Sequence, residues 1–169
     1  MPASTGFSLD DIAARSIDSV LAEVSSQAAA LFLLDDEGGS LRLHTRRGGS
    51  NALFGDLPQL LPGPLRKVEI VPGRPGSSIA FLAVPLRSRN RFCGLIAVQL
   101  TREAGISPAV RRRLQQIGDR AGELIESANL SSAIVRRNEQ LQTLCEAGIA
   151  ISSDLDLDVV LQRVTDLAR

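Results

Sequence analysis

The longest helical pattern in the chain is SPAVRRRLQQIGDRAGELIESANLSSAIVRRNEQLQTLCEAGI, residues 107–149. Ser107 and Pro108 suit a helix start, because serine accepts a hydrogen bond from the first turn and proline lacks only a donor that would be unpaired there. Apolar or small residues then recur in alternating steps of four and three, at Val110, Leu114, Ile117, Ala121, Leu124 and Ala128. This spacing is typical of a coiled-coil seam. It predicts a long helix that pairs with a second copy of the chain as a parallel homodimer.

The apolar pattern continues past residue 130 on a shifted phase, at Ile134, Leu141, Leu144 and Cys145. A helix of about 40 residues would be roughly 60 Å long, which exceeds the width of a small domain. Two registers of similar quality would let such a coiled coil transmit a small rotation. We expect Gly118 and Gly122 to weaken this helix but to allow close helix–helix approach.

A shorter amphipathic helix is predicted from Ser8 to about Val24. Ser8 followed by Asp10 and Asp11 is typical of a capped helix start. Its apolar stripe joins the long helix in the predicted interface. The complete predicted interface is Ile17, Val20, Leu21, Val110, Leu114, Ile117, Ala121, Leu124 and Ala128.

Five apolar segments between the helices predict strands. They are AAALFLL (28–34), SLRLHTR (40–46), KVEIV (67–71), SIAFLAVPL (78–86) and FCGLIAVQL (92–100). Prolines flank the third segment, which suits a sheet edge, and Gly94 leaves room for a close neighbour. Leucines and Phe54 within residues 47–64 predict one short helix over the second sheet face. The result is an α+β fold with an antiparallel-rich sheet of about five strands, between the paired terminal helices and this covering segment.

Composition excludes several function classes. Nineteen basic and nineteen acidic residues balance, so no net field attracts nucleic acid or an anionic membrane. No segment reaches the roughly 18 apolar residues of a membrane span, and no signal-peptide pattern is present, so we expect a cytoplasmic protein. Cys93 and Cys145 lack the close spacing of metal ligands, so we interpret them as small hydrophobic residues.

A pocket is predicted where polar strand residues meet an apolar cover: Arg42, His44, Leu53, Phe54 and Leu57. The alternative is that the apolar members only close the sheet. His44, the single histidine, is either a haem ligand or a solvated strand residue. The acidic turn at residues 35–37 either binds a cation or is a solvent-exposed turn without a ligand. No catalytic or metal-binding constellation occurs, so we expect no enzyme activity in this chain, no bound metal and no cofactor.

Two groups of residues resemble a known family. Ala29 to Asp35 with Gly39 to Leu43 resembles the opening hairpin of a GAF domain, and Phe81 to Leu86 with Gly94 to Val98 is similar to its paired late strands. Ile106-Ser107-Pro108 is similar to the start of its exit helix. The resemblance covers residues 8–130. It implies a sensory unit of a bacterial signalling protein such as a two-component sensor histidine kinase.

A second resemblance concerns the C-terminal residues. Residues 141–161 are similar to a linker helix and the first helix of another GAF domain or kinase module. This implies a signalling linker at 131–151 and a truncated following domain at 152–169, with a helix break at Ser152-Ser153-Asp154. We therefore expect a non-catalytic module that passes a signal to an output domain of the same chain, with a small molecule as a further possible partner. The alternatives are a haem or redox sensor using His44 and a ligand-free dimerisation scaffold.

Overall fold

A computed structural model describes residues 8–35, 39–61, 63–101 and 105–167 of the chain. In chain order the elements are α1 (Leu9–Val24), β1 (Ala29–Leu34), β2 (Leu41–Arg47), α2 (Asn51–Phe54), α3 (Leu57–Leu60), β3 (Glu69–Pro72), β4 (Ile79–Ser88), β5 (Arg91–Thr101) and α4 (Pro108–Leu167). The chain forms two compact units, Met1–Asn129 and Leu130–Arg169, and α4 contributes residues to both. The first unit contains the sheet.

Helix α1 begins where the sequence predicts it. Ser8 Oγ accepts a hydrogen bond from the Asp11 backbone N–H at 3.2 Å, and the Asp11 carboxylate accepts one from the Ser8 N–H at 3.4 Å. This reciprocal pair is a capping box, which satisfies two otherwise unpaired donors. Ser25 ends the helix in a left-handed conformation (φ 54°) and donates its N–H to the Leu21 carbonyl. These hydrogen bonds cap both ends of α1, and with them the ends of its apolar stripe.

The strands form one antiparallel sheet in the order β2-β1-β5-β4-β3. This confirms the predicted α+β class and places β3 at an edge. Among the described residues, β3 pairs only with Ala80–Ala83 of β4, so from Val84 onward β4 has a described partner strand only on its β5 side. Pro85 lies in this part of β4, where a missing N–H is tolerated on the open edge.

The turn between β4 and β5 is shorter than the predicted five residues. β4 continues to Ser88 and β5 begins at Arg91, which leaves Arg89 and Asn90 as a two-residue loop. Both have positive φ, 47° and 69°, as a type I′ turn requires. The turn matches the strand twist, and Arg87 Nη2 supports it by donating to Asn90 Oδ1 at 2.6 Å.

Apolar side chains cover both faces of the sheet, as the sequence predicts. On one face, α1 and α4 pack against the strands, with the main buried residues Ile12, Ile17, Val20, Leu82, Val84, Leu86, Ile96, Val98, Leu114 and Ile125. On the other face, Phe54 and Leu57 close a second cluster that includes Phe81. The Phe54 and Phe81 ring centroids lie 5.7 Å apart. Each face of the sheet therefore has its own hydrophobic cluster.

The covering segment differs from the prediction in one respect. It forms two four-residue helices, α2 and α3, in place of one short helix. Pro58 has no N–H to donate to the Phe54 carbonyl, so a helix continuing across Gly55 and Asp56 would lose a backbone hydrogen bond. The interruption leaves the Asp56 side chain between the two helices.

Gly118 and Gly122 do not serve the helix–helix approach that the sequence predicts. A Cβ atom at Gly118 would lie 2.3 Å from the Pro85 carbonyl oxygen, and one at Gly122 would lie 2.4 Å from the backbone N and O of Arg87. Both glycines therefore bring α4 against the β4 backbone of the same chain. Gly94 has the expected role, because a Cβ there would lie 2.2 Å from the Phe32 carbonyl oxygen of β1.

The described part of the second unit is helical throughout. α4 passes without interruption through Ser152-Ser153-Asp154, so the predicted break there is wrong. The sequence from Ile149 to Leu167 contains neither glycine nor proline. Serine and aspartate lower helix propensity by less than about 0.7 kcal/mol per residue, which is too little to interrupt a long helix. The predicted helix from Leu157 belongs to α4, and its predicted end at Ala168 lies outside the described residues.

Candidate functional site

The predicted pocket residues, Arg42, His44, Leu53, Phe54 and Leu57, do not meet at one site. Phe54 and Leu57 are fully buried in the core, where they close this face of the sheet. Leu53 lines a cavity on the same face. Arg42 and His44 make their contacts elsewhere.

His44 lies at an irregularity of β2. The pairing of β1 with β2 shifts by one residue there, which makes His44 the extra residue of a β-bulge. Its Nε2 atom is buried 3.1 Å from Asp10 Oδ1 of α1, without making a hydrogen bond. Arg42 forms an ion pair with Asp35 at 2.7 Å. His44 therefore faces α1, on the side of the sheet away from α2 and α3.

A cavity of about 170 Å³ lies between the α2–α3 segment, β4 and the loop joining β3 to β4. Its apolar lining consists of Ala52, Leu53, Leu60, Ile79 and Phe81. Asp56, Arg74 and Ser77 supply charged and polar groups. A mostly apolar recess with a few converging polar groups is the usual form of a small-molecule site. Its volume is below the roughly 300–1,000 Å³ of pockets for drug-sized ligands, so it suits a smaller molecule.

The loop that carries Arg74 is well defined. The Ser77 N–H donates to the Arg74 carbonyl at 3.0 Å, and Gly76 has φ 85°. With Pro75 at the second position, these features form a type II turn, which needs positive φ at its third residue. Gly73 anchors the loop to β4, because its N–H donates to the Ile79 carbonyl at 3.1 Å. The backbone under Arg74 is therefore fixed.

Arg74 and Asp56 form an ion pair beside the cavity. The Asp56 side chain is about one third exposed and the Arg74 side chain 71% exposed. The Ser77 Oγ atom accepts from the Ile79 N–H at 3.1 Å, and its proton can be donated to a ligand. Asp56, Arg74 and Ser77 are not among the pocket residues predicted from the sequence. The Pro75-Gly76 turn signal was present, but it does not show that Asp56 faces Arg74 across a cavity.

Four of the nine positions assigned to a dimer interface lie in the core of their own chain. Ile17, Val20, Leu114 and Ala121 are 0–3% exposed. For these four the prediction is wrong, because a side chain without exposed area gains no burial from a partner. The other five keep accessible surface and remain predictions: Leu21, Val110, Ile117, Leu124 and Ala128.

A groove of about 450 Å³ lies between α1 and α4 in the first unit. Its lining residues are Ile12, Arg15, Ser16 and Ser19 of α1 with Ile117, Arg120, Ala121 and Leu124 of α4. Leu124 is 46% exposed, although it is apolar. Of the five accessible seam positions, Ile117 and Leu124 line this groove.

Neither cysteine forms a disulfide, and Cys93 is poorly suited to act as a nucleophile. Burial raises the pKa of the Cys93 thiol, and Sγ donates a weak hydrogen bond to the Arg91 carbonyl at 3.6 Å. Since the thiolate is the reactive form, a raised pKa lowers reactivity. Cys145 is exposed on α4 in the second unit.

The structure groups no three His, Cys, Asp or Glu side chains for a metal ion among the residues it describes. Asp36 and Glu37 of the acidic turn lie outside those residues, so the cation hypothesis there stays a prediction. Within the described ranges, no helix is both long and apolar enough to cross a membrane.

Solved structures with a similar fold come from several proteins. A GAF domain/HD domain protein from Geobacter sulfurreducens matches with TM-score 0.60 and 15% identity, over 77% of this chain and 99% of that one. The GAF domain of a two-component sensor histidine kinase from Bacillus halodurans matches with TM-score 0.53 and 19% identity, over 75% and 99% of the two chains. The GAF domain of an Acinetobacter phosphoenolpyruvate-protein phosphotransferase matches with TM-score 0.54 and 18% identity, over 75% and 87%.

No family model matches the sequence, and no curated protein matches it. Identity to the three solved structures is at most 19%, so these likenesses establish the fold and leave activity open.

Proposed function

We propose that this chain, which has the GAF fold, is a non-catalytic sensory module that forms a parallel homodimer and passes a signal along α4 to an output domain. The three solved structures named above include GAF domains of a histidine kinase and of a phosphotransferase, and one GAF domain/HD domain protein. A sensory domain that is joined to a separate output domain is consistent with this variety of proteins. A histidine kinase is the output that we propose.

The observation that carries the proposal is an exposed apolar stripe on the second unit. Leu130, Ile134, Leu141 and Leu144 are each 52–68% exposed. Their spacing of four, seven and three residues places them on one side of a helix, as in the seam of a coiled coil. Burying a leucine or isoleucine contributes about 1.5–3 kcal/mol, so a matching helix from a second chain would be strongly stabilised here.

A second set of residues offers an alternative register on the same helix. Val135, Asn138, Cys145 and Ile149 continue the four–three spacing of the first unit, and Val135 and Ile149 are also more than half exposed. Two registers that differ by a small rotation give the coiled coil two discrete packings. A change in the first unit that favours one packing would then reach the output domain as a rotation.

In the first unit, the groove between α1 and α4 is the surface that we assign to the dimer. Leu124 is the most exposed apolar side chain of the groove, and Ile117 beside it is half-buried. Four core residues of the predicted seam hold these helices on the sheet. We therefore propose that, within the groove, only the accessible seam residues Ile117 and Leu124 contact the partner chain.

Replacing Leu124 with aspartate tests this interface. The new carboxylate would lose its hydration on dimerisation, so we expect the dimer to dissociate. Sedimentation velocity measures the result, with Gln116→Asp as control because Gln116 is an exposed α4 residue outside the groove lining. An unchanged dimer in Leu124→Asp would contradict the assignment of the groove.

The haem-sensor alternative has weaker support. His44 Nε2 is buried against Asp10 of α1, and the cavity that could hold a ligand is on the other side of the sheet. Its volume of about 170 Å³ is also small for a macrocycle.

A further inference from the structure

The cavity beside Arg74 has the size and apolar lining for a single ring or a short branched chain. Its volume is about 170 Å³, and Phe81, Ile79, Leu53 and Leu60 form most of its walls. A cavity of about 150 Å³ lined by leucine, isoleucine and phenylalanine side chains holds benzene in another protein. An apolar group of roughly that size therefore fits this site.

The polar side of the cavity is suited to an anion. A guanidinium carries five N–H donors in a planar fork that matches a carboxylate. The single Asp56 carboxylate cannot satisfy all five donors, so part of the Arg74 fork is left for a second acceptor. The type II turn at residues 74–77 fixes the backbone under Arg74, and the Ser77 hydroxyl adds a donor on the same loop.

We infer that this cavity binds a small monocarboxylate whose apolar body is about the size of a benzene ring, with its carboxylate on Arg74 and Ser77. The inference rests on the proposed sensory function, for which it names the class of signal molecule. Asp56 orients the guanidinium in the empty site, and its negative charge opposes that of the ligand.

A cationic ligand on Asp56 is the opposite possibility, and the geometry disfavours it. The Asp56 side chain is the more buried partner, at 34% against 71% exposed for Arg74. A cation would have to displace Arg74 from Asp56, whereas an anion can use donors that Asp56 leaves open. The two possibilities predict opposite effects of the same substitution at Asp56.

The test is calorimetric titration of the 169-residue chain with benzoate, 3-methylbutanoate, benzamide and benzylammonium. We expect the two carboxylates to bind, and benzamide to bind at least about tenfold more weakly because it lacks the charge. Arg74→Gln should weaken benzoate at least about tenfold, while Arg112→Gln, an exposed arginine of α4, should not change it. Asp56→Asn should strengthen benzoate by up to about fivefold, since it removes a competing negative charge.

Folding of each variant is checked by its thermal unfolding, and the binding position by amide NMR shifts at Ser77, Ile79 and Phe81. The inference is overturned if neither carboxylate binds, if benzamide binds as well as benzoate, or if benzylammonium binds and Asp56→Asn abolishes that binding. Failure of both carboxylates in a chain that sediments as a dimer would leave the proposed dimer in place as a ligand-free scaffold. Arg74-dependent binding to a monomer would support the inference and contradict the dimer.

Discussion

Replacing Leu141 and Leu144 together with aspartate is expected to weaken the dimer at least about 100-fold. Both side chains are more than half exposed on the second unit, and a coiled coil would bury them against a second copy. Each buried leucine contributes about 1.5–3 kcal/mol, and 1.4 kcal/mol corresponds to a tenfold change in affinity. Sedimentation velocity over a range of concentrations measures the change.

The matched control is the double replacement Gln140→Asp with Thr143→Asp. It adds the same charge to the same part of α4, one position before each leucine, on residues that are polar and exposed. We expect this control to remain dimeric. Equal weakening in both variants would show that charge repulsion, and not loss of an apolar seam, separates the chains.

Replacing Gly122 with alanine is expected to destabilise the first unit by about 2–3 kcal/mol. An added Cβ would lie 2.4 Å from the backbone N and O atoms of Arg87, so α4 would have to move away from β4. Overpacking of this kind typically costs about 1–3 kcal/mol, and here the obstacle is rigid backbone. The roughly 1 kcal/mol that alanine gains in helix propensity is too small to offset it. Urea unfolding measures the difference in free energy.

Gly148→Ala is the control for this prediction. Gly148 is also in α4, but no heavy atom lies within 4 Å of the position of an added Cβ. Gly148 follows Leu144 by four residues on the proposed seam, so this control is measured in the Leu141→Asp, Leu144→Asp background. Helix propensity then acts alone, and we expect a gain of about 0.5–1 kcal/mol in helix stability. A stabilised Gly122→Ala protein would contradict the close packing of α4 on β4.

Much of the fold could be predicted from the sequence because its local signals agree. The Ser8 capping box fixes the start of α1, and five apolar segments separated by turn residues give the five strands. The prolines beside β3 place it at an edge, which the structure confirms. The GAF resemblance, based on the β1–β2 and β4–β5 segments, is confirmed at the level of the fold.

The partner of an apolar helix stripe could not be predicted from its spacing. Leu114 and Ala121 belong to a stripe with alternating steps of four and three, as Leu141 and Leu144 do, but the first pair is buried on the sheet and the second is exposed. Periodicity shows that one side of a helix is apolar, but it does not show which element or chain covers that side. The glycines at 118 and 122 were ambiguous for the same reason, since close approach to a helix and to a strand require the same absent side chain.

The candidate site depends on contacts between distant parts of the chain. Asp56 and Arg74 belong to different loops, and only the folded sheet brings them to one cavity. Phe54 and Leu57 belong to the predicted covering layer, but they fill the core and do not line the cavity. The β-bulge that turns His44 towards α1 could not be read from the alternating pattern of β2, because one extra residue reverses the faces that follow it.

The most direct test of the central claim uses Cys145. In a parallel dimer, Cys145 lies in the seam of the second register and next to the seam of the first. As the two registers interchange, its copy would come close enough for a disulfide, which requires Cα atoms about 4.4–6.8 Å apart. Mild oxidation of the Cys93→Ser protein should therefore give a reducible covalent dimer with twice the 18.0 kDa mass of one chain. A product that remains at 18.0 kDa would contradict a parallel pairing of α4 with its copy.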